Sequence, residues 1–251
     1  MQKVKIGIFD SGIGGIPVYN KLKQTLQFKG FENYARVKYF GDTKNFPYGT
    51  KSESELKSIV SKNITDLHFE GCSIIGIACN TASIVYNSIT PYKTNPFVVP
   101  ILNLSATKAA EISKEKVLVI SSNFTANAHA YKSLIYSINH KVKVIESGEQ
   151  KLIGHIENNE KKEIIEEIKR IVNRSGEIDT LVLGCTHFSH VKEHIEYVFK
   201  QKYPNISIVE PTNILVDKLM ENLNIAINHV KISPQEEIIF SGNNPTFLFQ
   251  S

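Results

Sequence analysis

Along the chain, short apolar runs rich in β-branched residues alternate with stretches whose apolar positions recur at helical spacing. "VKIGIF" (4–9) predicts a strand and "GIPVYNKLKQTL" (15–26) a helix. "RVKYF" (36–40) predicts the next strand, followed by the loop "GDTKNFPYGTK" with Pro47 and Gly49 as turn residues. Ser52 and Glu55 form a capping box ahead of a helix in which Leu56, Ile59, Val60, Ile64 and Leu67 keep helical spacing. "SIIGIA" (73–78), "FVVPIL" (97–102), "KVLVI" (116–120), "KVKVIE" (141–146), "TLVLG" (180–184) and "ISIVE" (206–210) predict further strands with helical segments between them. The clearest helix is 160–172, where Ile164, Ile165, Ile168, Ile171 and Val172 make one stripe and the charged residues a solvated face. Strands alternating with helices mean βαβ units and a mostly parallel sheet.

Two stretches repeat one pattern. "IIGIACNTAS" (74–83) and "LVLGCTHFSH" (181–190) each run from apolar residues through a small residue into a cysteine, with a threonine close behind. "GIFDSG" and "LVISSN" likewise pair a strand with an acid or serine at its end, so the chain reads as two similar halves, with "NPFVVP" (95–100) a plausible boundary. Ligands of parallel α/β sheets bind beyond the carboxyl ends of the strands. Asp10, Ser11, Asp42, Cys79, Asn80, Thr81, Ser122, Cys185, Thr186 and His187 all fall at such ends. Each of the two cysteines is also placed where the next helix begins, and a helix N-terminus favours a thiolate. The short polar side chains and turn N–H groups around them suit a carboxylate. Two thiols flanking one anion pocket suit a reaction that acts on both faces of one carbon.

Composition narrows the reading without changing it. Apolar residues make up 41% and charged residues 22%, the balance of a soluble globular protein. A net charge of +4 with scattered lysines gives no nucleic-acid footprint. No apolar run is long enough for a membrane span or a signal peptide, so a cytoplasmic protein is expected. Three cysteines in a reducing compartment argue against a disulfide framework. Cys72, at a strand start, reads as buried filler. "SGIGG" (11–15) is neither a dinucleotide fingerprint nor a Walker sequence and reads as a tight turn into a helix. Cys185, His187, His190 and His194 could ligate zinc, but His190 and His194 read more simply as one exposed helix face, and Cys79 has no comparable histidines. His68, His129, His140 and His229 are expected at the surface.

Taken in order, "IGIFDSGIGG", "YFGDTKNFPYGTK", "IACNTAS", "VLGCTHF" and "FSGNNPTF" resemble the glutamate racemases, enzymes that supply D-glutamate for peptidoglycan without a cofactor. The resemblance implies an α/β fold of two pseudosymmetric domains, each a mostly parallel sheet flanked by helices, with the active site in the cleft between them. It implies a first domain of residues 1–97 joined by a returning segment 212–251, and a second of 98–211. It further implies Cys79 and Cys185 as the two catalytic acid/bases, Asp10 assisting the first, and Glu157 with His187 assisting the second. Ser11, Tyr48, Gly49, Asn80, Thr81, Ser122, Thr125 and Thr186 correspond to substrate contacts, as do Asp10 and His187. No cofactor and no metal are implied. The implied partner is glutamate in a homodimeric enzyme, with neither nucleic acid nor membrane.

The chain departs from the family's usual pattern at "GEQ" (148–150), at Ser189-His190 and at "EPT" (210–212). These departures bear on the shape of the second-domain wall and remove no catalytic group. They keep an aspartate or broad-specificity racemase of the same superfamily as a rival reading. A non-catalytic regulatory descendant is a second rival, opposed by the retention of both thiols and all three helpers, since a binder needs no second thiol. The α-proton of an amino acid is a very weak acid and a thiolate only a moderate base. Without an electron sink, preorganised donors and prompt proton delivery from the opposite face must supply the stabilisation.

Overall fold

The computed structural model describes residues 4–89 and 97–227, and the backbone of 237–240. Two compact units emerge: one runs to Pro100 and takes up the chain again from Leu215, the other is the continuous stretch Ile101–Ile214. The first contains β1 (Val4–Asp10), α1 (Ile16–Phe28), β2 (Ala35–Gly41), α2 (Glu53–Phe69), β3 (Cys72–Ile77), α3 (Asn80–Ser88) and β4 (Phe97–Pro100). The second contains α4 (Ile101–Ile112), β5 (Lys116–Ser121), α5 (Asn123–Asn127), α6 (Ala130–Ile138), β6 (Lys143–Gly148), α7 (Gln150–Glu157), α8 (Lys161–Arg174), β7 (Thr180–Gly184), α9 (Lys192–Lys202) and β8 (Ser207–Val209). α10 (Thr212–Ile227) then carries the chain back, and β9 (Glu237–Phe240) joins the first sheet. The sheets run β4-β3-β1-β2-β9 and β6-β5-β7-β8. Every described pairing is parallel.

The central strands are apolar on both faces, as a sheet covered by helices requires. Ile6, Ile8, Ile74, Ile75 and Ile77 are wholly buried in one unit, and Val117, Val119, Leu181, Val182 and Leu183 in the other. The predicted capping box forms at the start of α2, where Ser52 accepts the Glu55 N–H and Glu55 reaches back to the Ser52 N–H. Leu219 of α10 lies so close to β3 that a Cβ on Gly76 would come within 3.0 Å of it. No helix among the described residues is long and apolar enough to cross a membrane.

Two expectations need correction. The strand expected over 97–102 stops at Pro100, and Ile101 and Leu102 open α4. Ile101, Leu102, Ser105, Ala106, Ala109 and Ala110 form its buried face. A short apolar run does not distinguish a buried strand from the first turn of a buried helix. In α8 the buried stripe includes Glu167, paired with Arg170 at 2.8 Å, while Ile165 is only partly buried. The charged residues of this helix are therefore not all on a solvated face.

Candidate active site

Strand register lines up the polar groups. In the first sheet Asp10 is opposite Gly41 and Phe9 opposite Ile77, so Asp10, Asp42 and Cys79 emerge at one edge. In the second, Ser121 is opposite both Gly148 and Gly184, which brings Ser122, Glu149 and Cys185 out together. Each row is at the carboxyl end of a parallel sheet, where helix N-termini also gather.

The first row is built around Cys79, which is the N-cap of α3. Its thiol donates to the Ser11 hydroxyl at 3.5 Å, and its sulfur accepts the Ala82 N–H at 3.5 Å. Asn80 and Thr81 follow in the buried first turn of α3. Asp10 is wholly buried and accepts the Gly12 N–H at 3.0 Å, which closes the turn into α1. That turn needs Gly15, because a Cβ there would be 2.9 Å from the Asp10 Cβ. The Gly12 carbonyl accepts the Tyr39 hydroxyl at 2.7 Å, and the Phe46 ring packs at Gly12.

Tyr48 and Gly49 belong to a short 3-10 turn, Tyr48–Thr50. The phenol of Tyr48 points inward: it donates to Asp42 at 2.7 Å and accepts Asn63 Nδ2 at 3.1 Å. Burial holds the Tyr48 phenol proton far above the ordinary tyrosine range, reinforced by the Asp42 charge.

In the second row the sequence expectation and the structure part company over Cys185. The residue precedes a 3-10 turn, Thr186–Val191, and its side chain makes no cap hydrogen bond. The α-helix begins only at Lys192, so a favourable helix end is replaced by a titratable neighbour. Cys185 Sγ is 3.5 Å from His187 Nδ1, and the other ring nitrogen of His187 hydrogen-bonds Glu157 Oε1. Burial works against the imidazolium, but charge on Cys185 and the bonds to Cys185 and Glu157 outweigh it and raise the His187 pKa well above its ordinary value. Glu157 is the last residue of α7, a helix that buries Leu152, Ile153 and Ile156. Ser122 caps α5 by accepting the Thr125 N–H at 3.2 Å, and its hydroxyl donates to Thr125 Oγ1 at 3.1 Å. Thr186, the first residue of the 3-10 turn after Cys185, is buried.

Both His187 nitrogens are engaged with Cys185 and Glu157, and His190 and His194 are exposed. Among the described residues no group of three or more His, Cys, Asp and Glu is arranged to hold a metal ion. Cys72 is buried as expected. His129 and His140 are exposed; His68 is half-buried, with an Nδ1 that has no hydrogen-bond partner, and His229 lies outside the described residues. Most of "FSGNNPTF" also lies outside them.

Sequence reasoning missed several supporting groups. Asn63 sits among apolar positions of α2 and gives no signal until it meets Asp42, just beyond β2. Tyr131, wholly buried on α6, lies with its ring at Gly184, where a Cβ would be 3.1 Å from it. Glu149, in the divergent "GEQ", is buried and ion-paired with Arg174. The other two divergent positions meet: Ser189 donates to Glu210 at 2.7 Å, and Thr212 Oγ1 donates to the same oxygen at 2.6 Å.

Comparison with known proteins places these two rows in context. The family profile described as Asp/Glu/Hydantoin racemase matches residues 6–219. The chain is 31% identical to a glutamate racemase of Campylobacter concisus, over 95% of this chain and 90% of that protein. It is 30% identical to one of Fusobacterium nucleatum, over 98% and 91%. Among solved structures, glutamate racemase isoform RacE1 from Bacillus anthracis superposes with a TM-score of 0.84 at 22% identity, covering 97% of this chain and 90% of that one. An aspartate racemase from Picrophilus torridus superposes with a TM-score of 0.63 at 22% identity, covering 88% and 94%. The likeness thus spans both parallel-sheet units and both thiol rows: the chain belongs to the Asp/Glu/hydantoin racemase family and is an isomerase.

Proposed function

We propose that this protein interconverts L- and D-glutamate without a cofactor, using Cys79 and Cys185 as a pair of acid/bases that act on opposite faces of the α-carbon. The observation that carries the reading is that each of two strand-end thiols has its own hydrogen-bonded helper, Ser11 for Cys79 and the His187–Glu157 pair for Cys185. One sulfur, as thiolate, takes the α-proton while the other, as thiol, delivers its proton to the opposite face. The carbon inverts, and the two sulfurs have exchanged protonation states. Cys79 takes the proton of D-glutamate and Cys185 that of L-glutamate. His187, protonated and backed by Glu157, can pass a proton to Cys185 or stand beside its charge as a cation. Asp10 assists Cys79. The substrate carboxylates are met by Ser11, Asn80, Thr81, Ser122, Thr125 and Thr186, and by the Tyr48–Gly49 turn.

Glutamate is preferred over aspartate because relatives named glutamate racemase align over nearly the whole chain, at 31% and 30% identity. The protein acts in the cytoplasm as a homodimer and supplies D-glutamate for peptidoglycan. Purified protein incubated with L-glutamate should drive its optical rotation to zero after exhaustive dialysis against a chelator. Activity lost on dialysis and restored by zinc, or a higher kcat/KM for aspartate, would overturn the corresponding part of the reading.

A further inference from the structure

Asp42 is a buried carboxylate that the two-thiol chemistry does not use, yet it is among the most heavily bonded groups of the first unit. Its side chain accepts the Tyr48 hydroxyl at 2.7 Å, Asn63 Nδ2 at 2.9 Å, and Asn45 Nδ2 at 2.9 and 3.1 Å. Its backbone N–H donates to the Asp10 carbonyl at 2.9 Å. One residue thereby ties together the end of β1, the end of β2, the loop that carries Tyr48 and Gly49, and α2.

The chemistry of the donors is one-sided. A phenol and two amide NH₂ groups all point at the carboxylate, an acceptor-only group when ionised. An asparagine at 42 would turn its own NH₂ toward one of these donors, and a buried polar network that is only partly satisfied is costly. The phenol is also used on both sides, donating to Asp42 and accepting from Asn63. The loop it holds packs on the turn next to Cys79, since Phe46 lies against Gly12 and the Tyr48 ring against Phe9 at 6.3 Å.

We propose that Asp42 is a positioning residue for glutamate binding: with Asn63 it fixes the loop through the inward phenol of Tyr48, which anchors the loop and does not itself contact substrate. This rests on the reading of Tyr48 and Gly49 as part of the glutamate site. A group that places a binding loop, and takes no part in proton transfer, affects ground state and transition state alike.

Asp42→Asn is therefore expected to raise KM for glutamate about tenfold in both directions, with kcat within about threefold of wild type and the pH profile unmoved. Asp42→Asn/Asn63→Asp restores a carboxylate within 3.1 Å of the Tyr48 hydroxyl, and KM should recover. Asn45→Ala removes only the bonds from the partly exposed Asn45 and should raise KM less, in the same direction. It serves where Asp42→Asn does not fold. Amide hydrogen exchange of residues 44–50 should quicken in Asp42→Asn and return in the double variant. A folded Asp42→Asn with wild-type KM, or with lower kcat and a displaced pH profile at unchanged KM, overturns the proposal. So does a failure of the double variant to recover, or unchanged loop exchange. A wild-type protein inactive on glutamate overturns the functional reading instead, and the exchange measurement still tests the role of Asp42.

Discussion

Cys79 caps an α-helix, with its sulfur between the Ser11 hydroxyl and the Ala82 N–H; Cys185 caps no helix through its side chain and has an imidazole at 3.5 Å with a carboxylate behind it. The two strand ends are equivalent in topology and differ in chemistry. The Cys79 sulfur bonds a hydroxyl and a backbone N–H, neither of which titrates near neutral pH. The second thiol meets a group whose charge can change, a buried imidazole held at a raised pKa by Cys185 and Glu157. The same parallel-sheet edge is completed in one unit by a helix end and a hydroxyl, and in the other by an imidazole–carboxylate pair. Because L- and D-glutamate have equal free energy, kcat/KM must be the same in both directions for wild type and every variant. The asymmetry can therefore appear only in kcat and KM separately, and in proton exchange at each face.

The largest effect is expected from removing a thiol. Cys79→Ala or Cys185→Ala should lower racemisation by about a thousandfold or more, the scale of a lost general acid–base group. In D₂O the wild type should place deuterium in the product while unreacted substrate stays protonated early on. Residual exchange in Cys79→Ala should be confined to L-glutamate and in Cys185→Ala to D-glutamate. A single-cysteine variant that racemises near the wild-type rate would show one swinging base and end the comparison.

Next in size is Glu157→Gln, which leaves His187 its neighbour but removes the charge behind it. A fall in kcat/KM of about ten- to a hundredfold is expected, equal in both directions, with exchange into L-glutamate slowed more than into D-glutamate. Equal slowing of both exchanges would mean that Glu157 does not serve Cys185 selectively.

Gly15→Ala tests the turn beneath the first row. Its new Cβ would meet the Asp10 Cβ at 2.9 Å and Ala78 and Tyr39 at 3.2 Å. A loss of about 1–3 kcal/mol in stability is expected, read by denaturant unfolding. Unchanged stability would show that the turn beneath Asp10 yields.

The smallest effect is the most specific. The His187 pKa is raised in the folded protein, so its contribution to stability is complete below the ordinary histidine value of about 6.5 and is lost as pH rises through the folded value. His187→Gln should therefore flatten the decline in stability above about pH 6.5. An unaltered slope would assign the decline to other groups.

Much of this was legible in the chain. "TLVLG" reads directly as β7, and Ser52 with Glu55 forms the capping box that the spacing predicts. Both thiols and their strand ends follow from period and punctuation. What lay hidden depends on contacts between distant segments: Asn63 with Asp42, Arg174 with Glu149, Ser189 with Glu210. Each divergent position could be seen in the sequence, but its partner could not, because helical period says which face is buried and not what it meets. The 3-10 turn after Cys185 was also invisible, since Thr, His and Phe carry no signal that separates it from a first α-helical turn.

The path of the chain through its two units sets an order of assembly. Residues Ile101–Ile214 are one uninterrupted stretch, while the first unit is completed only by chain from Leu215 onward. Domains fold as units while synthesis proceeds. β7, which leads into Cys185, finds its neighbours β5 and β8 within that stretch. β3, which leads into Cys79, is packed by Leu219 of α10, a residue made after the whole second unit. On the ribosome the later thiol is therefore expected to reach the sheet that surrounds it before the earlier one does.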